Sequence, residues 1–186
     1  MDVFDKRKLA TKSDKSPKGS YDAPIVELIH FINTQTDFFT TSSCSGRIVL
    51  FGDGNFIETW HEQVDPHIVI EAIERSQANY IEFKMEPFVM HLEARTLEHA
   101  IEILARAQEC GFRNSGISMG KSTPRRIIVA IRGMHRLDIP IRVNGSNLFT
   151  DTFQVKEWTE IANERLNTNL ERVHRLELRL KEASVK

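Results

Sequence analysis

The chain has 186 residues, 40% of them hydrophobic, a net charge of −1 and two cysteines, Cys44 and Cys110. That length and apolar content suit one core-forming domain. Its apolar runs fall short of the roughly 20 residues needed to cross a bilayer, and two cysteines make no disulfide framework.

The N-terminal Met-Asp-Val-Phe-Asp-Lys-Arg-Lys lacks an apolar export signal, so a cytoplasmic location is expected. The seven histidines are not paired with cysteine at metal-ligand spacing, and no metal is expected. Charge is segregated. Residues 53–109 hold 12 Asp/Glu against 4 Lys/Arg, whereas residues 113–142 hold 7 Lys/Arg against the single Asp138. A basic face for a polyanion is therefore compatible with a near-neutral total.

The charged residues 1–13 suggest a short helix or arm, and Pro17 and Gly19 break regular structure after it. Asp22 reads as an N-cap with Pro24 in the first turn. Ile25, Leu28, Ile29 and Ile32 then fall on one helical face, ending near Asn33 or Thr34. Phe38 to Thr41 is a short extended piece. It leads into a polar run, Thr40-Thr41-Ser42-Ser43-Cys44-Ser45-Gly46-Arg47, which reads as a loop offering hydroxyls and free backbone N–H groups. Ile48 to Phe51 follows as a strand buried on both faces.

Gly52-Asp53-Gly54-Asn55 signals a hairpin turn, with a returning strand over residues 56–60. Asp65-Pro66 opens a helix with Ile68/Val69, Ala72, Ile73 and Ser76 on its buried side. Residues 80–85 form a strand. Residues 88–93 alternate, with Phe88, Met90 and Leu92 facing one way and Val89, His91 and Glu93 the other.

Thr96 caps a helix whose apolar face is Leu97, Ala100, Ile101, Leu104 and Ala107, and Gly111 ends it. Residues 111–118 form a second polar loop rising into a short strand. A buried strand covers residues 127–131. Residues 137–143 form its partner, with Pro140 marking an edge or a bulge. From Phe153 a long amphipathic helix carries Trp158, Ile161/Ala162, Leu166, Leu170, Val173, Leu176 and Leu180. It either packs on the domain or mediates weak self-association.

Taken in order, Asp-Lys-Ser-Pro-Lys-Gly-Ser, Thr-Thr-Ser-Ser-Cys-Ser-Gly-Arg-Ile, Pro-Phe-x-x-His, Gly-Phe-Arg-Asn-Ser-Gly-Ile and Ile-x-Val-Ala-Ile-Arg resemble the wybutosine-synthesis methyltransferase family of transfer RNA modification, the third enzyme of that pathway. The resemblance covers about residues 4–143. It implies an S-adenosylmethionine-dependent enzyme that methylates N4 of the tricyclic guanosine derivative at position 37 of tRNA-Phe. It also implies a mixed α/β (α+β) fold, a single domain with a mixed sheet and packed helices, unlike the Rossmann-type methyltransferases. That agrees with the missing glycine fingerprint. The methyltransferase domain would occupy residues 1–152 and the C-terminal helix residues 153–186.

Methyl transfer to nitrogen needs in-line alignment and removal of any proton on the acceptor. His91, Asp14 and Ser43 are the catalytic candidates. Ser42, Ser43, Cys44, Ser45, Gly46 and Arg47, with Ser115 and Gly116, are candidates for the cofactor, because hydroxyls and a guanidinium suit its carboxylate. Lys15, Lys18, Arg113, Arg125, Arg126 and Arg132 are candidates for the RNA. Cys44 has no general base nearby in sequence and reads as a small packed thiol. The competing reading is a non-catalytic RNA-binding module using residues 113–142.

Overall fold

A computed structural model describes residues 2–10, 19–121 and 125–183. The chain divides into two compact units. One comprises Met1–Ser45, Phe88–Met134 and Leu170–Lys186; the other comprises Gly46–Pro87 and His135–Asn169.

The first unit is built on a four-stranded sheet in the order β1-β5-β7-β6, with β1 at Phe38–Cys44, β5 at Val89–Ala94, β6 at Gly116–Met119 and β7 at Ile127–Arg132. All its pairings are antiparallel. One face is the core. Met90, Leu92, Val129 and Ile131 pack there against α2 (Val26–Thr34) and α4 (Leu97–Glu109). Leu28, Ile29 and Ile32 are the buried residues of α2, as their spacing requires. In α4 the buried face is Ala100, Ile103 and Ala107, while Leu97 and Ile101 are exposed. The expected stripe was therefore rotated toward solvent, because apolar residues line more than half of this helix and only its packing selects the inner side. Thr96 caps α4 by accepting from the His99 N–H at 3.3 Å, and Gly111, at φ 95°, closes it in the left-handed region.

Helix α1 (Val3–Ala10) is anchored within this unit. The Phe4 ring meets Phe39 edge-on at 5.1 Å, and the Arg95 guanidinium stands 4.5 Å above Phe4. Arg95 also bonds Asp2, Asp5 and Asp37. Asp22 precedes a 3-10 turn at Ala23–Ile25 but makes no capping bond with its side chain. Its carboxylate instead accepts the Ser45 backbone N–H at 2.9 Å and ties down the end of β1.

The second unit holds a five-stranded sheet, β3-β2-β4-β8-β9. Its strands are β2 at Arg47–Gly52, β3 at Asn55–Trp60, β4 at Ile81–Glu86, β8 at Leu137–Val143 and β9 at Ser146–Asn147. Asp53 and Gly54, both at positive φ, make the two-residue hairpin turn between β2 and β3. Helix α3 (Pro66–Arg75) starts where Asp65 accepts the His67 N–H at 2.8 Å. It buries Val69, Ala72 and Ile73, whereas Ile68 is exposed.

Strand β8 pairs with β4 and not with β7, correcting the expected hairpin of residues 127–131 and 137–143. Consecutive strands here belong to different sheets, which spacing along the chain does not reveal. Pro140 lies beside a register shift, where its missing N–H is tolerated. The fold is mixed α/β, as expected, with the sheet content realised as two antiparallel sheets.

Helix α5 (Thr152–Ala183) contributes to both cores: Val155, Ala162 and Leu166 to the second unit, Val173, Leu176 and Leu180 to the first. Its apolar stripe is thus covered within the chain. Among the described residues no helix is long and apolar enough to cross a membrane.

Candidate active site

The polar run after Phe39 folds as strand, not loop. Small hydroxyl side chains accept extended backbone, and β1 continues through Cys44. The register sets Ser42 against His91, Ser43 against Met90 and Cys44 against Val89, after an irregularity between Thr40 and Ser42. The backbone groups that β1 turns toward β5 are thus engaged in the ladder, and those of its outer edge lie outside it. Alternation places Ser42 on the face of His91 and Ser43 on the face of Met90, whose side chain is fully buried.

The face of this sheet away from its core carries two cross-strand rows. Ser42, His91, Ala130 and Gly116 form one; Phe39, Glu93, Ile128 and Ser118 form the other. A cleft of about 550 Å³ opens over them, with Thr41, Ser42, His91, Ser118, Met119 and Arg126 among its lining. That volume lies in the range of roughly 300–1,000 Å³ usual for small-molecule sites.

His91 is half-buried at the centre of this face. Its Nδ1 lies 3.1 Å from Ser42 Oγ, and its Nε2 lies 3.5 Å from an Arg132 terminal nitrogen. A guanidinium can only donate, so Nε2 is the accepting nitrogen and Nδ1–H donates to Ser42. Burial, and then the charge of Arg132, push the His91 pKa below its ordinary value. The ring is therefore neutral at pH 7 and able to accept a proton.

Ser115 has a partner within the chain: its Oγ accepts the Arg132 backbone N–H at 3.1 Å and steadies the residue beside His91. Ser45 is fully buried, Cys44 is half-buried, and both cysteines remain thiols. Arg47 belongs to the second unit, where its Nε donates to Glu86 at 2.7 Å and its guanidinium stands 4.8 Å above the Phe56 ring. The structure thus joins Ser42 and Gly116 to the row of His91 and commits Arg47 to a partner of its own.

Arg113 and Arg125 are exposed, as are Arg126 at the cleft and Arg132 beside His91. The basic segment is less uniform than its charge count. Arg142 is buried, with Nη2 donating to the Ile73 carbonyl at 2.9 Å and Nη1 to that of Ser76 at 2.7 Å. Arg136 is paired with Asp138. Asp14, Lys15 and Lys18 lie outside the described residues.

Thr41, Ser118, Met119 and Glu93 were not singled out from the sequence. Thr41 and Ser118 lay in the two polar stretches, and Glu93 was the second polar residue on the face of His91. It is fully buried, with Arg7 and Arg126 as its partners.

The lining fits the chemistry of the methyl donor that the resemblance implies: hydroxyls of Ser42 and Ser118 for its polar groups, and Met119 and Ile128 for an apolar ring edge, while the Thr41 hydroxyl donates to the His91 carbonyl at 3.1 Å.

The family model described as methyltransferase TYW3 matches residues 6–182. A Xenopus laevis tRNA wybutosine-synthesizing protein 3 homolog is 36% identical over 181 residues, covering 91% of this chain and 70% of that protein. A Thermococcus sibiricus protein named tRNA(Phe) 7-((3-amino-3-carboxypropyl)-4-demethylwyosine(37)-N(4))-methyltransferase is 32% identical over 185 residues, covering 95% of this chain and 92% of its own. The solved structure of the PH1069 protein from Pyrococcus horikoshii OT3 superposes with a TM-score of 0.84 at 31% identity, covering 98% of this chain and 95% of that one.

Proposed function

This chain belongs to the methyltransferase TYW3 family, and on that premise we propose that it methylates N4 of the 4-demethylwyosine-type base at position 37 of tRNA(Phe), with S-adenosylmethionine as donor. The observation that carries this reading is the imidazole of His91, held between Ser42 and Arg132 on an open sheet face beside a cleft of about 550 Å³. When bound, the cofactor supplies a methyl group already activated on a sulfonium.

The chain's own residues then have three tasks. Ser42 and Ser118 offer hydroxyls to the polar groups of a ligand, and Thr41 ties β1 to the His91 carbonyl. Ser42 and Arg132 orient His91 in a single tautomer. His91 accepts the proton on the base nitrogen at Nε2, once the base displaces the long contact to Arg132. Arg113, Arg125, Arg126 and Arg132 provide cationic contacts to the phosphates. These contacts position the RNA without reading its sequence.

Labelled S-adenosylmethionine and tRNA(Phe) carrying the base without its N4 methyl group test this. The protein should transfer one methyl group, located at N4 by mass spectrometry of the isolated nucleoside. Absence of transfer by protein that binds both ligands, or methylation at another atom, would overturn the reading.

A further inference from the structure

Among the described residues of this unit Glu93 is the fully buried carboxylate, and it sits two residues from His91 on the same face of β5. Burying a lone carboxylate costs several kcal/mol unless cations compensate it. Two arginines do so, each on its own oxygen. Arg7 Nε donates to Oε1 at 2.7 Å, and Arg126 Nε donates to Oε2 at 2.8 Å.

Arg7 comes from α1 and is 27% exposed, whereas Arg126 borders the cleft and is 47% exposed. Arg126 is thus gripped by its inner nitrogen. Among the described residues, no other carboxylate meets its terminal nitrogens, the pair suited to a phosphate. Phe4 on Phe39 and Arg7 on Glu93 seat α1 beside the same row. This cover removes Glu93 from solvent while leaving Arg126 at the edge.

We propose that Glu93 is a positioning residue for RNA binding: it holds Arg126 so that its terminal N–H groups take a phosphate of the bound tRNA at the cleft. The proposal rests on the tRNA reading above. Its sign distinguishes it from bulk electrostatics. Removing a carboxylate raises the local positive charge and, through charge alone, would tighten RNA binding. A positioning role predicts the opposite.

The test measures tRNA affinity across salt concentrations for the full chain, with cofactor affinity and the thermal transition as controls. Arg126→Gln should weaken tRNA binding about tenfold and lower the log–log salt slope by roughly 0.7–0.9. Glu93→Gln should weaken it to a similar degree, and the double variant should be no weaker than Arg126→Gln, because both act through one contact. Arg126→Lys keeps the charge without the planar fork and should also bind several-fold more weakly. That variant alters an exposed side chain, so it decides the matter even if Glu93→Gln does not fold.

Tighter or unchanged tRNA binding by a folded Glu93→Gln protein, or wild-type binding by Arg126→Lys, would overturn the proposal. So would a loss confined to cofactor affinity, which would make the cofactor's carboxylate the partner of Arg126. Failure of the wild-type protein to methylate tRNA that it binds would sink the functional reading and leave this contact standing.

Discussion

Ser42 Oγ lies 3.1 Å from His91 Nδ1, across two antiparallel strands in which these residues are direct partners. The hydrogen bond is a product of register, and register is set by which strand faces are buried. A slip of one residue would bring Ser43 to His91 and turn Ser42 toward the core.

The first prediction concerns pH. Burial, then Arg132, lowers the His91 pKa from the ordinary 6.5. Well above pH 6.5 the ring is neutral in both folded and unfolded protein and contributes no pH dependence. As pH falls below 6.5 the unfolded chain takes up the proton first, so stability declines through that window. The acid limb of the methylation rate should accordingly lie below 6.5. Arg132→Gln should move it upward only part of the way, because burial is the larger cause. A rate profile whose acid limb is unmoved by this substitution would remove Arg132 from the control of His91.

The second separates adjacent serines. Ser42→Ala removes the partner of His91 Nδ1, and a hydrogen bond of this kind is worth about 0.5–1.5 kcal/mol. Its kcat/KM should fall roughly two- to twelvefold. Ser43→Ala acts on the face of Met90 and should change the rate less. Steady-state kinetics on folded proteins compare them, and equal losses would mean that the site uses both faces of β1.

The third is a stability prediction. Arg142 donates to the carbonyls of Ile73 and Ser76 and, through Nε, to Asn147 at 2.8 Å. It therefore satisfies acceptors at the C-terminal end of α3. Arg142→Met should cost about 3 kcal/mol, read as a lower urea midpoint. Unchanged tRNA affinity in that variant should accompany the loss. A stable variant with weakened RNA binding would return Arg142 to the basic surface.

The fourth concerns α5. Truncation after Asn169 removes Val173, Leu176 and Leu180 from the core of the first unit. Each such burial contributes about 1.5–3 kcal/mol, and the three together approach the whole stability of a domain, about 5–15 kcal/mol. Loss of the cooperative transition, with apolar-dye binding, is expected. A truncated protein that keeps its transition but changes mass would show that the segment serves association.

Much of the local structure was legible in the sequence because it depends on near neighbours. Asp65-Pro66 and Thr96 open their helices, Gly111 closes one, and Asp53-Gly54 turns a hairpin. Each is a matter of a few dihedral angles and one or two hydrogen bonds. The alternation of residues 88–93 likewise placed His91 opposite the buried Met90 and Leu92. The ordered polar motifs carried the family resemblance, which the comparisons bear out.

Pairing across long separations was decided only by the tertiary structure. Residues 127–131 and 137–143 both read as strands, yet they lie in different sheets, since a strand's sequence states its burial and not its neighbour. Arg142 looked like a surface cation until the carbonyls of α3 surrounded it. Alternation put Glu93 on the face of His91, but its burial followed only from α1 covering it and two arginines closing on its oxygens. By itself the sequence determined the elements and the polar face, through local dihedral preference and the alternation of burial. The fold determined which charges are buried and which partners they hold, because desolvation and pairing depend on distant chain segments, such as Arg7 and Glu93, 86 positions apart.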